Sequence, residues 1–575
     1  SLIGGSEDGR VKVQKTFSSQ HLLSPRSHLT LTHIKRPQPL SPPSTPHSAH
    51  YHSTRHPLHP LPEKKTTAMG EKSGSRSAFL VAISLVFPFL ISSIHCRGIA
   101  PKTAEPTATL DVAAALESTT GVLSSDLRTQ QSLLLQQEKH RGRRSNTLEL
   151  QLHPRDALRP PPHADYRSLT LARLARDDAR VRAIDARLQL AIQGVRKSDL
   201  VPLVQEDGDG VGAEAAAGGG GGLSGPVVSG TRQGSGEYFS RVGIGSPAKA
   251  LYMVLDTGSD VTWVQCQPCT DCYQQADPLF DPAASSTYAP LPCASGRCHQ
   301  LDVSACRNES CLYQVSYGDG SYTVGDFATD TIALGGDSVP AVAFGCGHDN
   351  EGLFVGAAGL LGLGGGALSF PSQVSAASFS YCLVDRDSSS SSTLEFGAAA
   401  VADPSAVSAP LLRNQKLDTF YYVGLTGISV GGEMLSIPPS SFAVGASGEG
   451  GVIVDSGTAV TRLQSNAYAT LRDAFLRGTA GLPSASGVAL FDTCYDLSGR
   501  DTVEVPAVSF HFPGAKALRL PAKNYLIPVD SAGTFCLAFA PTASALSIIG
   551  NVQQQGTRVG FDLAHSLVSF TPNRC

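Results

Sequence analysis

A six-residue pattern occurs twice in the second half of the chain, and it constrains the possible folds more than any other feature. Val254-Leu-Asp256-Thr-Gly-Ser259 is matched 199 residues later by Ile453-Val-Asp455-Ser-Gly-Thr458. Gly359-Leu-Leu-Gly362 follows the first copy, and Ser547-Ile-Ile-Gly550 follows the second. A single Asp-Thr-Gly is a common turn. Two copies in the same setting predict two related lobes, each with an apolar strand that ends at an aspartate.

The residues around this repeat have the composition of a β-protein. From residue 231 onwards, short runs of Val, Leu, Phe and Tyr alternate with turns of Gly, Pro, Ser and Asp, and the clearest helical pattern is Asn466 to Arg477. These 345 residues are too many for one β-sandwich. We therefore predict an all-β body with an N-terminal lobe at 231–400 and a C-terminal lobe at 401–575.

Paired aspartates suggest a chemistry. Two carboxyl groups held about 3 Å apart share one proton, so one acts as a base while the other acts as an acid. Such a pair can activate water against a peptide carbonyl without a metal. Gly258 and Gly457 would let the backbone turn tightly under the carboxylates. Four nearby hydroxyls can orient the pair, and they belong to Thr257, Ser259, Ser456 and Thr458.

With these motifs in view, residues 232–575 resemble the pepsin-like aspartic proteases. Within that family they are similar to the plant nepenthesin-type branch, and most of all to the "aspartic protease in guard cell" group. The resemblance rests on five stretches: Asp256-Thr-Gly-Ser-Asp-Val-Thr-Trp263, the Cys-rich run 266–311, Tyr317-Gly-Asp-Gly-Ser321, Asp455-Ser-Gly-Thr458 and Ile548-Ile-Gly550. It implies a bilobal pepsin-like fold with pseudo-two-fold symmetry and an active-site cleft between the lobes.

The resemblance also implies roles for single residues. Asp256 and Asp455 match the catalytic pair, with Ser259 and Thr458 as its outer hydroxyls. Tyr317 matches the tyrosine of a flap that closes over the substrate, Gly318 and Asp319 match the flap tip, and Trp263 matches the residue that hydrogen-bonds the flap tyrosine. The long insert of plant vacuolar relatives is absent, because only 117 residues follow Thr458.

Cysteine usage predicts an oxidising compartment. Twelve of the 13 cysteines lie at 266–575, an even number that indicates six disulfides. Spacing alone leaves the pairing open. The resemblance implies the pairs Cys266–Cys269, Cys272–Cys346, Cys293–Cys311, Cys298–Cys306, Cys382–Cys575 and Cys494–Cys536.

Other ligand chemistries find little support. Cys266-x-x-Cys269-x-x-Cys272 could be a metal-binding fragment, but it lacks a fourth ligand nearby. Gly362-x-Gly364-x-x-Ala367 imitates a dinucleotide-binding turn, yet Pro371 interrupts the required helix. The four histidines after residue 231 lack ligand spacing. We expect no metal and no cofactor.

The first 230 residues differ in charge from the rest. They contain 28 Lys and Arg against 20 Asp and Glu, whereas residues 231–575 contain 17 against 29. Residues 1–68 are rich in Pro, His and Ser and predict a disordered or non-coding leader. Residues 69–96 predict a signal peptide, with basic residues before the apolar run Ala78 to Ile94, and a retained signal anchor is the alternative.

Residues 97–230 are interpreted as a pro-segment. Leu169 to Val195 has apolar residues at spacings of three and four, interleaved with arginines, which predicts a basic amphipathic helix. Such a helix could lie on a membrane or on the body, and the acidic charge of the body favours the body. The glycines at 218–222 predict a flexible linker where processing would occur.

Together these features predict a secreted aspartic endopeptidase that is made as a zymogen and works at acidic pH. The alternative is a catalytically silent pepsin-like binding or inhibitor protein. Expected partners are polypeptide substrates and the chain's own pro-segment, with no nucleic acid, no stable membrane anchor and a monomeric state. The expected location is the secretory pathway and the apoplast, with the endoplasmic reticulum or vacuole as alternatives. Asn308-Glu-Ser310 is a glycosylation sequon.

Overall fold

The structure is a computed structural model, and it describes residues 106–124, 148–158, 163–193, 238–317, 321–352, 354, 356–388, 390–401 and 403–575. The expected leader at 1–68, signal peptide at 69–96 and glycine linker at 218–222 lie outside these ranges. Within them, no helix combines the length and the apolar character needed to cross a membrane.

Five elements precede residue 238. They are strand β1 (Thr107–Asp111), helix α1 (Val112–Ser124), strand β2 (Leu148–Pro154), helix α2 (Arg155–Leu158) and helix α3 (Tyr166–Gln193).

Residues 238–401 form mainly strands. These are β3 (Tyr238–Ile244), β4 (Lys249–Asp256), β5 (Trp263–Gln265), β6 (Asp271–Cys272), β7 (Ala289–Pro290), β8 (Val303–Arg307), β9 (Ser310–Ser316), β10 (Tyr322–Leu334), β11 (Asp337–Glu351), β12 (Gly359–Gly362), β13 (Ser378–Cys382) and β14 (Ser392–Phe396). The short helices are α4 (Gly296–Gln300) and α5 (Phe370–Gln373).

The C-terminal part continues this pattern. Its strands are β15 (Val407–Leu412), β16 (Tyr422–Val423), β17 (Gly427–Val430), β18 (Glu433–Met434), β19 (Val452–Val454), β20 (Thr461–Gln464), β21 (Ser484–Ala485), β22 (Cys494–Asp496), β23 (Thr502–Pro506), β24 (Val508–Phe512), β25 (Lys516–Arg519), β26 (Leu526–Pro528), β27 (Thr534–Leu537), β28 (Phe539–Thr542), β29 (Ser547–Ile549), β30 (Thr557–Asp562) and β31 (Leu567–Pro572). Its helices are α6 (Ser465–Gly478), at the predicted position, and α7 (Asn551–Gln554).

The sequence repeat corresponds to a repeated strand arrangement. In the first half, β4 runs parallel to β12, which places Asp256 beside Gly362, and β12 also pairs antiparallel with β5. In the second half, β19 runs parallel to β29 and β29 pairs antiparallel with β20. The predicted all-β pepsin-like fold is confirmed, and the same local topology presents each aspartate.

Strands from both halves also form a shared sheet. β13 pairs antiparallel with β30, β30 with β31 and β31 with β15. Three buried aromatic rings pack where the halves meet: the ring centroid of Phe561 lies 4.8 Å from that of Phe379 and 4.4 Å from that of Tyr421. The geometry of one half is therefore fixed relative to the other close to the aspartates.

Residues before 238 add two strands to the sheets of the body. β2 lies antiparallel between β3 and β14, with Leu152 opposite both Ser240 and Ser392. Leu152 is fully buried. β1 pairs with β23 in the C-terminal half, and Leu110 is opposite Val503. The N-terminal residues thus belong to the same hydrophobic core as the body.

Helix α3 lies where the sequence predicts a helix, but its buried face differs from the prediction. Leu171, which the pattern places among the apolar residues, is 40% exposed. Arg173, Asp177 and Arg180 are buried together with the apolar residues of the helix. Charged side chains on the buried face of a helix require partners. Arg173 pairs with Asp156 of α2 and with Asp387 of the body, and the partners of Asp177 and Arg180 lie in the body.

Candidate active site

Asp256 and Asp455 occupy equivalent positions in the two halves. Asp256 ends β4, Asp455 directly follows β19, and both are buried. The Gly258 N–H donates to Oδ1 of Asp256 at 2.9 Å, and the Ser259 hydroxyl donates to Oδ2. Thr458 donates to Oδ2 of Asp455 through both its N–H, at 2.8 Å, and its hydroxyl, at 2.6 Å. The predicted outer hydroxyls therefore hold one carboxylate each.

The inner hydroxyls connect the two halves. The Thr257 hydroxyl donates to Oδ1 of Asp455 at 3.1 Å and accepts from the Ser456 N–H at 2.9 Å. In the opposite direction, the Thr257 N–H lies 3.3 Å from the Ser456 hydroxyl. Hydrogen bonds inside a buried site are directional and hold their partners in place. Thr257 and Ser456 thus fix the distance between the two loops that carry the aspartates.

Arg180 of helix α3 lies against both carboxylates. Its Nε donates to Oδ2 of Asp455 at 2.8 Å, and its Nη2 donates to Oδ1 of Asp455 at 2.9 Å. Its Nη1 donates to Oδ2 of Asp256 at 3.1 Å, and its Nη2 also donates to Oδ1. Only 6% of Arg180 is exposed. One guanidinium therefore binds all four carboxylate oxygens, which a planar five-donor group can do and an ammonium cannot.

This contact changes the electrostatics of the pair. Burial would raise the pKa of the Asp455 carboxyl, but the charge of Arg180 and hydrogen bonds from Arg180, Thr458 and Thr257 outweigh burial and lower it. Burial would lower the pKa of the Arg180 guanidinium, but the attraction of Asp256 and Asp455 outweighs burial and raises that pKa. The arginine thus favours the ionised form of Asp455.

Gly258 and Gly457 give Arg180 room. A Cβ at Gly258 would lie 2.5 Å from Nη2 of Arg180 and 3.2 Å from Oδ1 of Asp455. A Cβ at Gly457 would lie 2.4 Å from Cζ of Arg180. Neither glycine is among the positive-φ residues of the described chain. The chain turns at Gly258 and bends at Gly457 without a positive φ, and the two glycines in addition leave space above the carboxylates.

The predicted flap pair is in contact. The Trp263 Nε1 donates to the Tyr317 hydroxyl at 2.8 Å, and Trp263 is fully buried. Phe354 packs edge-on against both rings, with centroid distances of 4.9 Å to Trp263 and 5.1 Å to Tyr317. Tyr317 follows β9, which pairs with β10. Gly318 and Asp319, the expected flap tip, lie outside the described residues.

Apolar residues of α3 pack against the body on either side of Arg180. Leu174 joins a buried cluster with Ala459 and Val460. Towards the C-terminal end, α3 contributes to a second cluster, formed by Val181, Ile184, Leu188, Phe420, Tyr422, Ile453, Leu546 and Ile548. The helix therefore covers the aspartates and the surfaces beside them.

Comparison with known proteins assigns this architecture to a family. The xylanase inhibitor N-terminal domain matches residues 238–398, and the xylanase inhibitor C-terminal domain matches residues 420–572. Aspartyl protease family protein 2 of Arabidopsis thaliana is 59% identical over 361 residues, which are 62% of this chain and 74% of that protein. The chain belongs to the pepsin-like aspartyl protease family.

Other similar proteins belong to the same group. Protein aspartic protease in guard cell 2 of Arabidopsis thaliana is 52% identical, covering 61% of this family member and 75% of that protein. Aspartic proteinase nepenthesin-1 of Nepenthes gracilis is 41% identical, covering 61% and 82%. The solved structure of edgp covers 58% of this chain and 91% of its own, with a TM-score of 0.50 and 22% identity. This last likeness concerns the fold alone.

The sequence did not predict that Arg180 of this family member lies at the aspartates. The sequence pattern places Arg180 among several arginines on a basic helix and does not distinguish it from the others. The available clue was its helical position, because Arg173, Asp177 and Arg180 recur at spacings of four and three on the buried face. Charged residues within an apolar stripe point to specific partners rather than to a solvated face.

Four of the six expected disulfides of this family member are wrong. The structure confirms Cys382–Cys575 and Cys494–Cys536. In the N-terminal half it pairs Cys266–Cys346, Cys269–Cys272, Cys293–Cys306 and Cys298–Cys311.

The strand register explains both exchanges. β5 runs parallel to β11 with Val264 beside Cys346, so the end of β5 brings Cys266 next to Cys346. Cys306 and Cys311 face each other across the β8–β9 hairpin. Cys306 bonds to Cys293 in the loop before the hairpin, and Cys311 bonds to Cys298 in helix α4. Sequence spacing does not carry this register.

No cluster of three or more His, Cys, Asp or Glu suited to a metal ion occurs within the described ranges. Three of the histidines after residue 231 make polar contacts: His348 Nε2 lies 3.0 Å from Asp326, His511 Nε2 lies 2.7 Å from the Ser429 hydroxyl, and His565 Nδ1 lies 2.8 Å from Asp562. The sequon residue Asn308 is exposed in the β8–β9 turn.

Proposed function

We propose that this family member is the precursor of a secreted aspartic endopeptidase that cleaves peptide bonds at acidic pH with water activated by Asp256 and Asp455. One observation carries the proposal: two buried carboxylates, each held by a hydroxyl and a backbone N–H, are joined across the halves through Thr257 and Ser456. A site of this kind holds its groups in fixed positions, as acid–base catalysis requires.

The chemistry follows once Arg180 has left. The two carboxyls then share one proton, because both cannot be ionised at such close range. The ionised one takes a proton from water, whose oxygen bonds to the substrate carbonyl carbon, while the protonated one donates to the carbonyl oxygen. The proton taken from water passes to the amide nitrogen as the C–N bond breaks, and a hydroxyl on the former carbonyl carbon returns its proton to the other aspartate. A new carboxyl and a new amine result, and the pair again holds one proton. Asp256 and Asp455 act as one coupled unit without a fixed owner of the shared proton.

The contact of Arg180 supports a zymogen. In the closed state, the guanidinium occupies the carboxylate oxygens that the reaction needs. Helix α3 covers the site, and strand β2, which precedes α3 in the same N-terminal segment, pairs with strands β3 and β14 of the body. We propose that residues 97–230 act as an inhibitory pro-segment, and that the body is their partner until the segment is released.

The secretory route is part of the same proposal. All twelve cysteines after residue 238 form disulfides, which persist in oxidising compartments. The exposed turn position of Asn308 suits an attached glycan. We propose a monomer that acts on polypeptides in the secretory pathway or outside the cell.

A silent binding protein is the second candidate, since the matching domains are described as those of xylanase inhibitors. The fully hydrogen-bonded carboxylate pair favours the enzyme, because a binding protein has no need of two buried acids held against each other.

The test is acid treatment of the purified full chain with a denatured protein substrate. We expect the wild type to cleave the substrate and to shorten itself. Asp256→Asn and Asp455→Asn should each lower the rate by at least about a hundredfold, the usual contribution of an acid–base group. Asp337→Asn, an exposed aspartate at the start of β11, is the matched control and should leave the rate unchanged.

Cleavage that persists in both active-site variants would contradict the mechanism. A well-folded wild type that never cleaves, but binds a glycanase, would establish the silent alternative.

A further inference from the structure

A second buried contact between helix α3 and the body involves Asp177, one turn before Arg180. The carboxylate of Asp177 accepts hydrogen bonds from the N–H of Ala459 and, at 3.3 Å, from the N–H of Val460. Its Oδ2 lies 2.8 Å from Nη2 of Arg462. Asp177 is 4% exposed and Arg462 is 2% exposed. This is a built carboxylate site in which two backbone N–H groups donate hydrogen bonds and one guanidinium supplies an ion pair outside hydrogen-bond geometry.

The site adjoins the aspartate pair. Ala459 directly follows Thr458, whose N–H holds Asp455. Asp177 precedes Arg180 by three residues, a rise of about 4.5 Å along a helix. An extended peptide advances about 3.3 Å per residue. A substrate lying across the aspartates would therefore reach the site with a side chain within about three residues of the cleaved bond.

Departure of the helix would leave the site without its acids. Arg462 has two carboxylates within 4.0 Å in the described part of the chain, Asp177 and Asp178, and both belong to α3. The other described hydrogen bond of its side chain runs from Nη1 to the carbonyl of Val460, at 3.3 Å. A buried guanidinium that loses its carboxylate is strongly unfavourable, so the emptied site attracts another carboxylate.

We propose that Arg462 and the N–H groups of Ala459 and Val460 form a subsite for an acidic substrate side chain, which Asp177 fills in the precursor. This rests on the proposed function and adds a substrate class to it. In the precursor, the pairing of Asp177 with Arg462 also helps to hold helix α3 on the body. Leu174 packs on Ala459 and Val460 beside the subsite, so an apolar substrate residue fits next to the acidic one.

The experiment uses the acid-converted full-length protein and peptides with amidated C-termini, so that a terminal carboxylate cannot take the place of a side chain. Glu and Gln are exchanged at each of about three positions on either side of the cleaved bond. At one position, kcat/KM of the wild type should favour Glu about tenfold to a hundredfold, the range of a charge-assisted hydrogen bond. Arg462→Met should bring that ratio close to one. Arg500→Met, at an exposed arginine of the same lobe, should leave it unchanged.

A pH series gives a readout that a purely structural role of Arg462 would not move. The preference for Glu should be present above the ordinary pKa of glutamate, about 4.3, and should disappear as the pH falls below it. If Arg462→Met does not fold, the pH series on the wild type still shows whether the subsite recognises the charge of the Glu side chain. In that case Arg462→Lys, which retains a charge but lacks the planar fork, should keep a reduced preference.

A ratio near one at every position overturns the proposal, and so does a preference that survives in Arg462→Met. If the wild type cleaves no peptide, the proposed function fails, and binding of the same peptides measured by fluorescence anisotropy decides the subsite. Tighter binding of Glu peptides that depends on Arg462 supports it, and equal binding of Glu and Gln peptides overturns it.

Discussion

Replacing Arg180 with methionine should release helix α3 from the aspartates. Methionine keeps much of the length of the side chain but removes all the hydrogen-bond donors that Arg180 directs at Asp256 and Asp455. The closed state would then bury two ionised carboxylates side by side without a cation. Their repulsion and their lost hydrogen bonds both favour the open state.

The size of the effect can be worked out from these contacts. Removing one partner of a buried ion pair costs about 3–5 kcal/mol, because the remaining charge stays buried without compensation. At about 1.4 kcal/mol for each factor of ten, the population with α3 released should rise roughly a hundredfold to a few thousandfold. In Arg180→Lys, which offers a point charge instead of a planar fork, the population with α3 released should lie between those of the wild type and Arg180→Met.

Amide hydrogen exchange of the full chain at neutral pH measures this population. Peptides from Tyr166–Gln193 should lose protection in Arg180→Met. Peptides from β17 and β24, remote from the helix, should keep theirs. Arg182→Met is the matched control on the same helix, because Arg182 is 63% exposed and pairs only with Asp178 in the described part of the chain. An exposed pair of this kind contributes a few tenths of a kcal/mol.

Equal protection of α3 in the wild type and in Arg180→Met would refute the reasoning. It would mean that the apolar clusters around Leu174 and Leu188 hold the helix on their own. Loss of protection in Arg182→Met to the same degree would point instead to a general weakening of the helix.

Three further results are expected. Thr257→Val removes the acceptor of the Ser456 N–H and should lower the free energy of unfolding by about 1–3 kcal/mol in thermal denaturation, whereas Thr257→Ser should retain most of it. Trp263→Phe loses the hydrogen bond to Tyr317 and should lower kcat/KM about tenfold with little change in Tm; an unchanged kcat/KM would argue against a working flap. Burial lowers the pKa of His153 on β2 from 6.5 to about 4, so protonation between these values favours the released strand by up to about 3 kcal/mol. His153→Leu should therefore keep β2 protected from exchange to lower pH, and an unshifted pH profile would contradict this.

The aspartate pair could be predicted because the information is local. Each aspartate stands between an apolar strand and the same hydroxyl–glycine triplet, and the two strands fold in the same way. Trp263 and Tyr317 could be predicted in the same manner, from short motifs around them. Their hydrogen bond then follows from the pairing of β9, β10 and β11.

Arg180 could not be placed in this way, because its partners are 76 and 275 residues away. The amphipathic pattern predicted the helix but did not indicate which arginine faces the body. The sequence of β2 is typical of a strand, since Leu148, Leu150 and Leu152 alternate with polar residues. Its insertion between β3 and β14 is a matter of tertiary pairing that alternation alone does not determine.

The disulfides show the same limit from another side. The number and the oxidised state of the cysteines follow from composition. Pairing depends on which strands are neighbours, and Cys266 and Cys346 meet only because β5 and β11 run side by side. Where a pair joins elements far apart in sequence yet was still expected, as in Cys382–Cys575, the family resemblance supplied it.

The bond between Cys382 and Cys575 spans 193 residues and closes strands β14 to β31 into a covalent ring. A single backbone cut anywhere in that ring leaves both fragments joined. A protease working in acid meets its own chain at high local concentration, and a ring of this kind survives a first cut as one particle. On an unreduced gel such a nicked molecule would run as an intact one, and only reduction would separate the pieces. None of the six described disulfides bridges a cut before residue 266 or between residues 347 and 381, so cuts in those stretches change the unreduced mass.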